Sequence, residues 1–160
     1  MSVDNYAGAA RRWAEGASIV YAPIARQLVA TSPHPLAGRR VLDVGAGTGI
    51  AGAVLSEVGA RPVASDLSHD MLAWRAYDRP PAVVADVTAL SFAARSFDDT
   101  VAAFVLNHLV EPASGIAEIC RVTRPGGAVL ACVYANASRS EVREAIDQAA
   151  QRDGWTIPDW

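Results

Sequence analysis

The chain has 160 residues, of which 51% are hydrophobic and 19% are charged. This length and hydrophobic content are enough to bury one sizeable core, and the length is in the usual range for one domain rather than two. Fourteen basic and 17 acidic side chains give a net charge of -3 without an extended run of Lys or Arg, which argues against a nucleic-acid partner. The N-terminus has no secretory signal and no apolar stretch is long enough to span a bilayer, so a cytoplasmic protein without a membrane partner is expected.

Strand-like apolar runs alternate with helix-like segments from residue 40 onward, a pattern typical of a parallel sheet covered by helices. Residues 6–30 precede the sheet and are predicted to form one or two helices broken near Pro23, and a loop at 31–38 leads to the first strand. The predicted strands are 40–45, 61–66, 82–86, 100–106 and 127–134, and the helices between them are about 48–58, 68–77 and 113–123.

The whole chain, 1–160, is predicted to be one domain with its core at 39–135. Ser68 is a candidate N-cap for the helix after the second strand. A capping-box spacing after the fifth strand introduces an amphipathic C-terminal helix at about 139–152.

The chain contains two cysteines, Cys120 and Cys132. Neither has metal-ligand spacing around it, so no metal site is expected. Both are predicted to be buried apolar residues rather than partners in a disulfide.

The stretch from Val41 to Gly52, "VLDVGAGTGIAG", carries two overlapping glycine patterns: G-x-G-x-G from Gly45 to Gly49, and G-x-G-x-x-G from Gly47 onward. Glycine has no Cβ, so either pattern at a strand-to-helix turn lets a ligand approach the backbone and the free N–H groups of the helix start. The second pattern is associated with dinucleotide-binding Rossmann units. The glycines alone leave open whether the turn holds S-adenosylmethionine, holds NAD or binds no ligand.

Asp43 separates these alternatives better, because it lies inside the first predicted strand, where a dinucleotide-binding strand is ordinarily apolar. A carboxylate buried there is costly unless it meets a donor or a cation. S-adenosylmethionine supplies an α-ammonium group and a sulfonium centre, whereas the pyrophosphate of NAD would be repelled. The alternative is an ion pair or backbone cap within the protein.

Two further acids, Asp66 and Asp86, end the second and third predicted strands. The spacing of Asp66 from the glycines suits an acid that accepts hydrogen bonds from ribose hydroxyls, which both NAD and S-adenosylmethionine offer. In open α/β sheets, ligands bind at the carboxyl ends of the strands. The sequence therefore predicts a nucleoside site lined by three aspartates, with unrelated solvated acids as the alternative.

Four linked motifs between Val41 and Val133 resemble those of the class I S-adenosylmethionine-dependent methyltransferases that act on small molecules. "VLDVGAGTG" is similar to the first motif of that family, and "ASDLSHDML" is similar to the second. "ADVTALSFAARSFDDTVAAFVLNHL" resembles the third and fourth strand region, and "EICRVTRPGGAVLACV" resembles the last helix, turn and fifth strand. The resemblance implies a Rossmann-like three-layer α/β sandwich with a mostly parallel sheet of about five strands in the order 3-2-1-4-5.

The resemblance also implies a set of cofactor contacts. Asp66 would meet the ribose, and Asp86 would meet the adenine amino group. Ser68 and Met71 would flank the adenine, and the fourth strand would line the methionine end. If a general base assists the reaction, His108 is the candidate, since histidine can take a proton near neutral pH. The predicted cofactor-binding residues are Asp43, Gly45, Ala46, Gly47, Gly49, Asp66, Leu67, Met71, Asp86, Val87 and Phe104.

Aromatic residues outside the motifs are further candidates for the pocket. In the resembling family, N-terminal helices, here at about 4–30, often cover the cofactor and the acceptor. Tyr6, Trp13 and Tyr21 are therefore either lid residues or ordinary core anchors, and Tyr134 is either a pocket or a loop residue.

The sheet of the resembling family usually continues past the fifth strand into an antiparallel pair, and no such pair is countable in this chain. The fifth strand would then be an apolar edge, which tends to be covered or to recruit another chain. The alternatives are a truncated piece of a longer enzyme, a homodimer through this edge, and protection by the tail that carries Trp155 and Trp160.

The leading functional hypothesis is methyl transfer from S-adenosylmethionine to a small-molecule acceptor, with S-adenosylhomocysteine as the product. Because the sulfonium is already activated, alignment of the reactants can supply up to about 7 to 11 kcal/mol of the catalysis. A cofactor-binding module without turnover is the second hypothesis. An NAD-linked oxidoreductase, favoured only by "GTGIAG" and Asp66, is the third. The sequence leaves open which acceptor atom, O, N, C or S, is methylated.

Overall fold

The computed structural model describes residues 10–135, apart from the side chains of Arg12 and Ala17. Within this range the chain forms a sheet with helices on both faces. The strands are β1 (Arg40–Val44), β2 (Arg61–Asp66), β3 (Ala82–Val84), β4 (Asp99–Ala103) and β5 (Val129–Cys132). The helices are α1 (Ala10–Arg12), α2 (Ser18–Ala30), α3 (Ile50–Glu57), α4 (His69–Ala73) and α5 (Pro112–Val122).

The five strands are all parallel and lie in the order β3-β2-β1-β4-β5, which confirms the predicted fold class. The chain builds one half of the sheet outward from β1 to β3 and then returns to the other side of β1 with β4. The order therefore reverses between β1 and β4. In open α/β sheets, the carboxyl ends of the strands at this reversal are where ligands bind.

Two hydrophobic clusters, one on each face of the sheet, give the domain its three layers. Because successive residues of a strand point to opposite faces, Val41 packs in the cluster that contains α2 and α3, whereas Leu42 packs in the cluster that contains α5. Both side chains are fully buried, as expected for the central strand of a parallel sheet.

The predicted helix break near Pro23 is wrong, because α2 runs through this residue. Pro23 has no backbone N–H, so the Ile19 carbonyl, four residues earlier, lacks its helical hydrogen bond. Ile19 is exposed, so water can bond this carbonyl instead. The irregular stretch lies earlier, in a π-helical turn at Trp13–Ala17 that follows α1.

The ends of other elements also differ from the prediction. The fourth strand ends at Ala103 because Phe104 has a left-handed backbone with φ of 63°. The helix after β2 ends at Ala73, since Trp74 is extended and Arg75 is left-handed, and a 3-10 turn follows at Ala76–Asp78.

The predicted C-terminal helix at about 139–152 and the tail lie outside the described residues. β5 is at one edge of the described sheet, and the homodimer through this edge stays a prediction. Between residues 10 and 135, the structure contains no helix with the length and apolar character that crossing a membrane requires.

The cysteines are less buried than predicted. Cys120 is exposed, because it follows the buried Ile119 by one residue on α5 and so lies about 100° away around the helix. Cys132 is half-buried, and this burial raises the pKa of its thiol. Both are free thiols.

Candidate cofactor-binding site

A cavity of about 480 Å³ opens at the carboxyl end of the sheet. Its volume lies in the range usual for small-molecule sites. Of the predicted cofactor-binding residues, only Gly49 does not line it; Gly49 is instead the N-cap of α3. His108, from a 3-10 turn after β4, lines the same cavity. The structure thus brings together Asp43, Gly45, Ala46, Gly47, Asp66, Leu67, Met71, Asp86, Val87 and Phe104.

The glycine loop between β1 and α3 needs glycine for two physical reasons. Gly45, Gly47 and Gly49 have φ of 67°, 52° and 96°, in the left-handed region that disfavours other residues. A Cβ on Gly45 would also lie 2.5 Å from side-chain carbons of Val105. The loop therefore presents bare backbone to the cavity.

Asp66 ties the glycine loop to the start of α4. Its Oδ2 accepts a hydrogen bond from the Gly47 N–H at 2.7 Å, and its Oδ1 accepts one from the Ser68 N–H at 2.8 Å. A carboxylate has about four lone-pair sites, so each oxygen can accept one more hydrogen bond. This leaves acceptors at the end of β2 for hydroxyl groups of a ligand.

Met71 forms the part of the cavity wall that adjoins the glycine loop. Its Cε would lie 3.4 Å from a Cβ at Gly47, and its side chain is buried. The predicted N-cap is confirmed, because the Ser68 hydroxyl oxygen accepts a hydrogen bond from the Met71 N–H at 3.3 Å. The cap fixes the short helix that carries this wall.

Ser68→Ala is expected to lower the free energy of unfolding by about 1 kcal/mol, the usual effect of removing an N-cap oxygen. Urea unfolding followed by circular dichroism measures this. Ser56→Ala is the matched control, since the Ser56 hydroxyl donates to the Gly52 carbonyl within α3 and caps nothing. Equal unfolding midpoints for the two variants would show that the cap is not significant.

Asp86 lies at the rim of the cavity after β3. Its Oδ1 accepts hydrogen bonds from the backbone N–H and the hydroxyl of Thr88, each at 2.8 Å. These two bonds, the backbone one first, lower the pKa of the carboxyl group. Asp86 is therefore ionised at neutral pH and suited to accept a hydrogen bond from an amino group.

Asp43 lies behind the glycine loop, and its side chain is almost fully enclosed, with 1% exposure. Burial raises the pKa of its carboxyl group to about 7, against the opposing effects of the Gly52 N–H and the Arg79 guanidinium. A Cβ on Gly52 would lie 3.3 Å from Asp43 Oδ2, so this glycine lets α3 approach the carboxyl group. The donor and the cation that the sequence requires are thus present within the chain, and direct contact of Asp43 with a cofactor stays a prediction.

Arg79 is a residue that the sequence analysis missed. It precedes Pro80 and Pro81 in the connection between β2 and β3, and its Nη1 donates to the carbonyls of Gly47, Met71 and Leu72 at 3.2, 3.2 and 3.0 Å. No motif marks it. The one available signal is indirect, since a buried Asp43 calls for a cation somewhere in the chain.

An aromatic wall, consisting of Trp13, Tyr21, Phe104 and Tyr134, lines another part of the cavity. Trp13 stacks on Tyr21 with ring centroids 5.4 Å apart, and Tyr21 meets Phe104 edge-on at 5.1 Å. The Phe104 and Tyr134 centroids are 4.7 Å apart, and the hydroxyl groups of Tyr21 and Tyr134 are hydrogen-bonded to each other. Three of the predicted aromatic candidates thus meet at the site, whereas Tyr6 lies outside the described residues.

The parallel sheet order, the glycine loop and the acid at the end of β2 define a Rossmann-like α/β domain of the nucleoside-binding class. Residues 42–131 match the family model described as a methyltransferase domain. The chain therefore belongs to the methyltransferase-domain family, among the class I S-adenosylmethionine-dependent methyltransferases, as the resemblance of its motifs predicted.

Relatives and solved structures agree with this membership. A demethylmenaquinone methyltransferase of Clavibacter sepedonicus is 40% identical over 118 residues, which are 71% of this chain and 48% of that protein. A chain from the complex between the Haloferax volcanii Trm112 methyltransferase activator and a methyltransferase has a TM-score of 0.74 at 25% identity, covering 98% of this chain and 68% of that one. The [4+2]-cyclase SpnF has a TM-score of 0.60 at 27% identity, covering 68% of this chain and 43% of that one. The chain spans about half the length of the demethylmenaquinone methyltransferases that it matches.

Proposed function

We propose that this chain binds S-adenosylmethionine in the cavity and transfers its methyl group to a small-molecule acceptor. The observation that carries the proposal is the Asp66 carboxylate, which holds the glycine loop and the start of α4 at the cavity and keeps acceptor capacity on both oxygens. Membership of the methyltransferase-domain family supports this function over an NAD-linked oxidoreductase.

The residues at the cavity suit this cofactor. Gly45 and Gly47 offer bare backbone where a Cβ would fill space beside Val105 and Met71. The ribose hydroxyls would donate to Asp66, and the adenine amino group would donate to the ionised carboxyl group of Asp86. These groups lie along one edge of the sheet, so one extended nucleoside can reach them together.

The cofactor, when bound, supplies a methyl group that its positive sulfur already activates. The chain's own task is orientation, which can contribute up to about 7 to 11 kcal/mol when the reacting atoms are well aligned. Phe104 and the rest of the aromatic wall line the cavity with apolar rings, which exclude water and whose π-systems attract cations. His108 lines the same cavity and is the residue that we propose accepts a proton from an acidic acceptor.

We further propose that the acceptor is a flat aromatic molecule. The rings of the aromatic wall line the cavity, and the paired Tyr21 and Tyr134 hydroxyl groups place polar atoms beside these rings. The similar proteins are named for a quinone, demethylmenaquinone. A planar quinol would suit such a wall better than an aliphatic acceptor.

Calorimetric titration with S-adenosylmethionine, S-adenosylhomocysteine and NAD tests the cofactor, and we expect affinity for the first two alone. Transfer of a labelled methyl group to a panel of naphthoquinols, phenols and aliphatic amines tests the reaction, and we expect labelled quinol or phenol. Absence of affinity for both sulfur nucleosides would overturn the proposal.

A second candidate is a cofactor-binding module without methyl transfer. It is favoured by the similarity to SpnF, because that protein is a cyclase and the fold therefore does not by itself determine the reaction. Binding of S-adenosylmethionine without labelling of any acceptor in the panel would support this candidate over the first.

A further inference from the structure

The backbone of Gly47 is held by charged side chains at both its N–H and its carbonyl group. Its N–H donates to Asp66 Oδ2 at 2.7 Å, on the cavity side of the site, and its carbonyl accepts from Arg79 Nη1 at 3.2 Å. Gly47 also has the left-handed backbone that shapes the loop. Both backbone polar groups of one left-handed glycine are thus bonded to charged side chains.

Arg79 joins the glycine loop to α4, two parts of the chain that contribute to the cavity lining. The same Nη1 atom that contacts Gly47 also donates to the carbonyls of Met71 and Leu72, in α4. A Cβ on Gly47 would lie 3.4 Å from Met71 Cε, so the glycine loop and α4 adjoin each other at the cavity, and the guanidinium group holds them in this arrangement. Because Nη1 alone makes all three contacts, they depend on where the rigid guanidinium plane places that one atom.

Asp43 lies against this arrangement from behind the loop. Its Oδ2 and the Nε and Nη2 atoms of Arg79 are buried without a hydrogen-bond partner among the described residues. The two side chains are nevertheless close enough to influence each other's ionisation, and burial is the main cause of the lowered pKa of Arg79. The negative charge of Asp43 and the positive charge of Arg79 therefore compensate each other beneath the glycine loop, without a direct hydrogen bond between the unpaired atoms.

We propose that Arg79 is a positioning residue for the cofactor: with Asp43 behind the loop, it holds the glycine loop and α4 at the separation that the nucleoside requires. The inference rests on the proposed function, because it concerns affinity for the same cofactor. Arg79 acts through backbone carbonyls in this arrangement and is not among the residues that line the cavity.

The charged groups around Asp43 determine how this arrangement depends on pH. The Gly52 N–H faces it from α3, Arg79 faces it from the connection after α4, and Asp66 faces it from β2. Burial raises the pKa of Asp43 to about 7, Arg79 lowers it and Asp66 raises it. The carboxyl group is therefore charged, and attracts Arg79, above about pH 7, so cofactor affinity is expected to rise between pH 6 and pH 8.

Arg79→Met tests the proposal with two nucleosides, S-adenosylhomocysteine and 5'-methylthioadenosine, which lacks the amino acid end. We expect the dissociation constants of both to rise by the same factor, about tenfold, because the loop and α4 hold the nucleoside. Arg75→Met is the matched control, since Arg75 is an exposed residue of the same connection that pairs with Asp78 at 3.6 Å. It should leave both constants unchanged.

Arg79→Lys and the pH profile separate positioning from simple loss of folding. Lysine keeps the positive charge, so the rise of affinity between pH 6 and pH 8 should remain, whereas the methionine variant should lack this rise because it has no cation for Asp43 to attract. If the methionine variant does not fold, the lysine variant still tests the geometry, and a several-fold loss of both affinities is expected.

Unchanged dissociation constants in the folded variants would overturn the proposal, and so would a loss limited to S-adenosylhomocysteine, which indicates direct contact with the amino acid end. A native chain that binds neither nucleoside would overturn the proposed function, and this inference with it. Native binding combined with unaffected Arg79 variants would overturn this inference alone.

Discussion

Asp66→Ala is expected to weaken S-adenosylhomocysteine binding at least 100-fold. A hydrogen bond to a charged group contributes about 1.5 to 3 kcal/mol, so loss of two bonds from ribose hydroxyls amounts to about 3 kcal/mol or more, and every 1.4 kcal/mol is tenfold in affinity. The substitution also removes the acceptor for the N–H groups of Gly47 and Ser68, which fix the loop and the start of α4. Isothermal titration calorimetry measures the effect.

Asp70→Ala is the matched control for this result, because Asp70 is an exposed acid of α4 outside the cavity lining. The affinity of the Asp70→Ala variant for S-adenosylhomocysteine should equal that of the native chain. Thermal unfolding of both variants separates affinity from folding. An Asp66 variant that is folded and binds within threefold of the native chain would contradict the proposed site.

Asp43→Asn is expected to remove a large pH dependence of stability. Burial raises the pKa of Asp43 from 3.8 to about 7, so the folded chain holds this proton more tightly than the unfolded chain. The associated stability is fully present below pH 3.8 and is lost as the pH rises through 7. One pKa unit corresponds to 1.36 kcal/mol, so the native chain should lose about 4 kcal/mol across this window through Asp43 alone.

Urea unfolding at several pH values between 4 and 8 measures this loss. The relevant quantity is the slope of the free energy of unfolding against pH, not its value at one pH. Loss of the carboxylate beside Arg79 changes the free energy of unfolding itself. Because asparagine does not titrate, this change does not add a pH dependence at position 43. Asp70→Asn, at an exposed carboxyl group, should retain the native slope. Identical slopes for the native chain and Asp43→Asn would show that folding does not raise the pKa of Asp43.

Local patterns were sufficient to predict the sheet and most of the cavity lining. The apolar runs of the strands are contiguous in sequence, and the order of motifs along the chain carried the resemblance that implied the order 3-2-1-4-5. Asp66 ends β2 and Asp86 lies two residues after the end of β3, and because these strands run in the same direction, both acids lie at one edge of the sheet. The left-handed backbone of Phe104 carries no comparable signal, and the predicted fourth strand was therefore too long.

The helix through Pro23 could not be predicted from the residue alone. A proline inside a helix is tolerated only where the carbonyl that it leaves unbonded has another partner, and here the exposed surface provides one. Exposure is a property of the folded chain. The same reasoning applies to Cys120, whose position one residue beyond the buried Ile119 turns it away from the core.

Asp43 shows most clearly where the sequence stops being informative. The sequence by itself determined that a carboxylate within a buried strand needs a donor or a cation, because desolvation of a charge is costly wherever it occurs. Only the tertiary structure decided that Gly52 and Arg79 fulfil this need from behind the glycine loop, since both reach Asp43 through packing of α3 and of the connection after α4. Contacts between segments distant in the chain depend on that packing, and no local pattern of residues specifies them.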